Sequence, residues 1–185
     1  DGTDPGEPFV IEGQVRGEDG NIIAGAIVDL WHANSKGGYS FIDGEQAPYN
    51  LRRRIETDEK GRYLARSIVP NGYGCPPLSC TRKAMNLMGR HAERPAHVHF
   101  FVSAPGYRKL TTQFNFTGDK YLYTDFAFGT REELVVTLER VTDANEIRNA
   151  GFNRPFARAT FDVVMTKERA GAPKTEVARE HVIAA

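Results

Sequence analysis

The chain has 185 residues, with 24 lysines and arginines set against 24 aspartates and glutamates. That length holds one domain with a real core and is short for two. The balanced charge argues against a nucleic acid or an anionic membrane as partner, since either draws on a basic excess.

No apolar run approaches the length of a membrane span, and no leader peptide is visible. The sequence opens on Asp1 rather than Met, as a processed product or a fragment would. Residues 1–8 are rich in Gly, Pro and Asp and are expected to form an extended lead-in. Over 9–15, Phe9, Ile11, Gly13 and Val15 alternate with Glu12 and Gln14, the period of a strand. A turn at 18–21 leads to a second strand over 26–33, which carries Trp31. The loop 34–38 then delivers Tyr39. Strands are expected over 51–57 and 62–69, joined by the hairpin turn at 58–61. Residues 70–77 contain three prolines and two glycines and read as irregular loop.

A helix is expected over 81–88, with Gly89 as its stop. The stretch from Arg94 to Phe101 reads as a strand, rich in β-formers and opened by Pro95. After a Pro105–Gly106 turn, residues 110–116 return with strict alternation. A further strand is expected over 134–141 and a short helix over 142–150, with Asp143 and Glu146 as a capping pair. The last strand is placed at 159–165. Residues 167–185 form a charged tail with little apolar pattern. Seven or eight strands between turns indicate an all-β fold, an antiparallel β-sandwich with short helices in the connections, as one domain over 9–166.

Cys75 and Cys80 are spaced for a local disulfide, but nothing marks the chain as exported, so reduced thiols in a cytoplasmic protein are expected. As metal ligands they lack two further soft partners.

His97 and His99 lie two apart in a strand and so share a face, about 7 Å apart along it. Such a pair can grip one metal ion; it can equally be two half-buried histidines. If 97–102 and 110–116 pair about Gly106, Gln113 faces His99 and Asn115 faces His97. A slip of one residue would turn Gln113 to the other side. Arg94, just upstream, keeps its charge at any working pH and could stabilise an anion beside such a site. Tyr39 and Tyr73 sit in Gly-rich loops. A tyrosine ligand must be a phenolate, which needs a strongly Lewis-acidic ion, because its ordinary pKa is about 10. Two phenolates with two imidazoles suit Fe(III) better than Zn(II) or Cu(I).

Several runs carry a wider likeness. They are Gly13-Gln14-Val15, Ala-Gly-Ala-Ile-Val-Asp-Leu-Trp-His-Ala-Asn at 24–34, Lys-Gly-Gly-Tyr-Ser at 36–40 and Asn-Leu-Arg-Arg-Arg-Ile at 50–55. The most specific are Arg-Tyr-Leu-Ala-Arg-Ser-Ile-Val-Pro-Asn-Gly-Tyr-Gly-Cys at 62–75 and the segment 89–113. From about residue 8 to 165 the sequence resembles the catalytic domain of intradiol ring-cleavage dioxygenases, above all those acting on catechol. The resemblance implies a non-haem Fe(III) held by Tyr39, Tyr73, His97 and His99, with Tyr73 and His99 axial. It implies that Arg94 and Gln113 stand beside the metal, that Tyr73 takes a substrate proton, and that Phe126 and Ala127 line the pocket. The implied reaction is catechol plus O2 giving cis,cis-muconate, within aromatic catabolism in the cytoplasm. Family members of this kind carry an N-terminal helical segment that joins two subunits. It does not appear in this sequence, so a homodimer is expected only where that segment exists.

Two other classes remain open. A cupin-like metalloenzyme also uses His-x-His on a barrel, but would want a carboxylate in 100–107, which has none. A metal-free β-sandwich binding domain would keep the histidines as structural residues. Within the family, a chlorocatechol, hydroxyquinol or protocatechuate is the alternative substrate.

Overall fold

The computed structural model describes residues 4–169 and 171. Its strands are β1 (Pro8–Gly17), β2 (Ile27–His32), β3 (Arg52–Glu56), β4 (Arg62–Ile68), β5 (Tyr73–Gly74) and β6 (Glu93–Arg94), followed by β7 (His97–Ser103), β8 (Leu110–Phe116), β9 (Val135–Val136), β10 (Glu139–Val141), β11 (Phe156–Thr160) and β12 (Val163–Met165). Helix α1 (Cys80–Leu87) lies between β5 and β6, and α2 (Ala144–Asn149) between β10 and β11. Both start on side-chain caps: Ser79 Oγ accepts the Arg82 N–H, and Asp143 accepts the N–H groups of Asn145 and Glu146. Both expected helices form: the first starts one residue earlier than 81–88, and the second is shorter than 142–150.

Two five-stranded sheets carry the fold. One has β1 at its centre, flanked by β4 on one side and by β11 and β12 on the other; the second runs β3-β2-β7-β8-β9. Alternation buries one face of each sheet, and these faces meet in one apolar cluster. Phe9 packs edge-on to Phe116, and Tyr63 to Phe100, so rings from opposite sheets interlock across it. On the other face of β1, Val10 joins Val141 and Phe156 in a small second cluster beneath α2.

The purely antiparallel expectation needs correcting: both sheets are mixed. β1 pairs parallel with β11 and β12, and β8 pairs parallel with β9. The chain must cross between sheets to do this. Residues 134–141, expected as one strand, break into β9 in one sheet and β10 in the other, with a 3-10 turn (Glu132–Leu134) in front. Leu134, Val136 and Leu138 pack on the main core while Val141 turns into the second cluster, so one strand could not serve both. The last expected strand likewise splits into β11 and β12 around Phe161 and Asp162. At that break the Phe161 N–H donates to Glu12 O, and Tyr63 Oη donates to Phe161 O. Two backbones therefore meet at Gly13, where a Cβ would stand 2.0 Å from Phe161 O. Gly13→Ala should lower stability by about 2–3 kcal/mol, as overpacking does; thermal unfolding would show it, and an unchanged midpoint would mean that the two strands are free to part.

The first tail residues are fastened: Lys167 bridges to Tyr107 and its Nζ meets Asp19 at 2.7 Å. The rest of the expected tail, 170 and 172–185, lies outside the described residues, as do 1–3 of the lead-in. Among the described residues no helix is long and apolar enough to cross a membrane.

Candidate active site

The hairpin register is the one read from the turn at Gly106. His97 faces Asn115, and His99 faces Gln113. Both imidazoles point to the same side, with their Nε2 atoms 3.0 Å apart. The His97 Nδ1 lies 2.7 Å from Pro95 O; a proton donated there leaves Nε2 as the lone pair. Trp31 of β2 stacks on the His99 ring at 4.8 Å and holds its plane. Burial, then the nearby Arg94 charge, push His97 down to about 4. Burial, then His97 and Arg94, push His99 down to about 3. Both rings are therefore neutral near pH 7.

The two loops deliver the tyrosines. Asn34 Oδ1 accepts from the N–H groups of Lys36 and Gly38, shaping the turn that presents Tyr39. The second loop departs from expectation. Residues 70–77 read as irregular, yet Tyr73–Gly74 pairs with Glu93–Arg94 as a two-stranded ladder. That ladder puts Tyr73 directly beside Arg94, and the strand expected from Arg94 onward restarts only at His97. Gly72 makes the approach close enough: a Cβ there would lie 2.5 Å from Arg94 O. The Asn71 N–H donates to Asn34 O and ties the two tyrosine loops together.

Four rings thus gather on one side of β7. Tyr39 meets Tyr73 edge-on at 5.2 Å and tilts over His99 at 6.3 Å; Tyr73 tilts over His97 at 5.5 Å. Tyr39 Oη is buried with no hydrogen-bond partner, and burial, reinforced by Tyr73, pushes its phenol well above the ordinary range. An unmet buried hydroxyl costs about 1–3 kcal/mol, so this atom marks a place built for a further group. A cation suits it, because an ionised phenolate and two neutral imidazole lone pairs all favour positive charge. Among the described residues no three His, Cys, Asp or Glu side chains cluster as metal holders, so an ion here depends on the tyrosines.

Arg94 joins these rings to the rest of the fold. Its Nη1 lies 3.2 Å from His97 Nε2 and 3.4 Å from Tyr73 Oη, and its Nη2 donates to Gln113 Oε1 at 3.3 Å. Gln113 Nε2 passes the chain on to Asn115 Oδ1, and Asn115 Nδ2 to Ala96 O. Sequence reading missed the other partner, Asp125, which forms a two-oxygen pair with Arg94 Nε and Nη2. Burial works against the Arg94 charge, but the Asp125 carboxylate and Tyr73 together outweigh it, so its pKa is raised. Phe126, half-buried, and Ala127, exposed, follow Asp125 directly, on a loop turned beside Arg94. Cys75 and Cys80 are free thiols, and neither joins the rings.

A family model described as Dioxygenase matches residues 1–167. The chain belongs to the intradiol dioxygenase family. It is 50% identical over 167 residues to the catechol 1,2-dioxygenase of Acinetobacter guillouiae, a match covering 90% of this chain and 55% of that protein. It is 37% identical over 164 residues to a hydroxyquinol 1,2-dioxygenase of a Rhizobium species, covering 88% of this chain and 56% of the relative. The crystal structure of the Acinetobacter radioresistens catechol 1,2-dioxygenase superposes with a TM-score of 0.89 at 54% identity, over 94% of this chain and 56% of that one. The chain thus spans about half the length of the relatives it matches.

Proposed function

We propose that this chain carries the catalytic unit of an enzyme that cleaves catechol with O2 between its two hydroxyl-bearing carbons, giving cis,cis-muconate, at a non-haem Fe(III). Tyr39, Tyr73, His97 and His99 would hold the ion. The observation that carries this reading is the partnerless, buried Tyr39 hydroxyl within a ring cluster that also presents two neutral imidazoles. The chemistry that a ferric ion held there would supply is Lewis acidity, which would keep the phenolates ionised and activate catechol towards O2.

This chain's own groups supply the remainder. His97 and His99 stay unprotonated at working pH, so their nitrogens remain donors. Tyr73 Oη is the proton acceptor for one catechol hydroxyl, and Arg94 Nη1, 3.4 Å away, stabilises whichever oxygen carries the charge. The guanidinium also faces the negative charge that develops on the ring. Gln113 steadies it at Nη2. Phe126 and Ala127, on the loop beside Arg94, would line one wall of the pocket. Catechol gains both atoms of O2, one in each new carboxyl group, so no external reductant is consumed.

Preference for unsubstituted catechol over hydroxyquinol is supported by the higher identity to relatives named for catechol. We also propose residues 9–166 as the catalytic unit, a cytoplasmic site of action in keeping with the free thiols, and a homodimer where an N-terminal helical segment is present.

The visible spectrum of the iron-loaded protein tests this reading. Tyrosinate donation to Fe(III) should colour it red, and anaerobic catechol should move the band to longer wavelength. A protein that stays colourless after iron reconstitution would end the proposal.

A further inference from the structure

We infer that Asp125 is a positioning residue of this site: its carboxylate sets the direction of the Arg94 guanidinium and, with the same two oxygens, the course of the loop carrying Phe126 and Ala127. The inference rests on the function proposed above. The Asp125 side chain is 2% exposed and that of Arg94 12%. Each carboxylate oxygen takes two donors. Oδ1 accepts from Arg94 Nε at 3.1 Å and from the Ala127 N–H at 3.1 Å. Oδ2 accepts from Arg94 Nη2 at 3.1 Å and from the Gly129 N–H at 3.0 Å.

A planar guanidinium gripped along its Nε–Nη2 edge has no freedom to turn. Its remaining corner, Nη1, is thereby aimed at His97 Nε2 and Tyr73 Oη. Gln113 makes one longer contact, at 3.3 Å, and a single contact cannot fix a rotation. The loop is pressed against the pair: a Cβ on Gly129 would stand 2.6 Å from Arg94 Nη2 and 3.0 Å from Asp125 Oδ2. One carboxylate therefore places both the charge and the pocket wall.

The test reads two substitutions in the iron-loaded protein. Asp125→Asn keeps the shape but presents an amide NH2 that cannot accept from Arg94. It should lower kcat about 100-fold, the scale of a misplacement of about 1 Å, with iron content and the resting visible band unchanged. Its crystal structure should show Nη1 withdrawn from Tyr73. In an Arg94→Ala background the same substitution should change kcat by less than about two-fold and leave only a higher KM from the loosened loop. Asp125→Glu retains the charge and so avoids stranding a buried cation, but displaces the carboxylate by one methylene; it too should lose kcat. Equal kcat losses in both backgrounds, wild-type kcat in Asp125→Glu, or an unmoved guanidinium in Asp125→Asn would each overturn the inference. A wild-type protein that does not turn over catechol would end the proposed function instead, and the position of Arg94 in the Asp125→Asn crystal would still decide whether Asp125 directs it.

Discussion

Arg94→Ala should lower catechol turnover by about two to three orders of magnitude, the cost of removing one preorganised donor from a water-poor site, while the protein still binds iron. The size follows from burial and fixation. The side chain is 12% exposed and its guanidinium is held by Asp125 and Gln113, so little water screens it and little reorganisation precedes the reaction. Iron should stay because Arg94 only donates hydrogen bonds to its neighbours and offers no lone pair to a metal. The variant leaves Asp125 without its cation. That carboxylate keeps the N–H groups of Ala127 and Gly129, so the stability loss should fall below the about 3–5 kcal/mol typical of breaking a buried pair. Single-turnover kinetics beside metal analysis separates these effects. Normal turnover would remove Arg94 from the mechanism; lost iron would make its role structural.

His97→Ala should release the iron. His97 is 1% exposed, and the contact from Nδ1 to Pro95 O aims Nε2 into the ring cluster. Removing a contact that merely supports a ligand costs about 10–100-fold in metal affinity, and removing the ligand itself should cost more. Metal content after dialysis reads it directly, and an unchanged iron content would show the assignment to be wrong. His32 is the natural control. It is as deeply buried, but both of its nitrogens are already engaged, by Ala33 O and Ser67 Oγ. His32→Ala should cost stability and leave iron in place.

Much of this site is legible along the chain. Strand alternation puts His97 and His99 on one face, and the turn at Gly106 sets Gln113 and Asn115 opposite them. Asp143 starts its helix where the expected capping pair has it. These features depend on residues within one element or one tight turn, so period and turn type are enough to specify them.

The three-dimensional fold decided what local pattern does not carry. Nothing in 134–141 announces that its apolar residues belong to two different cores, and so its division between sheets is settled only when both are in place. The parallel ladders on β1 have the same origin, for a strand's own period fixes its faces and leaves its edge partners open. Tyr73 reaches Arg94 through a two-residue ladder inside a stretch whose prolines and glycines argued for loop, because backbone groups there had to find partners wherever the chain returned. Asp125, 31 residues from Arg94, has no periodic signal at all. A buried guanidinium needs a carboxylate, but only the packed sheets determine which of the chain's 24 acidic residues supplies it.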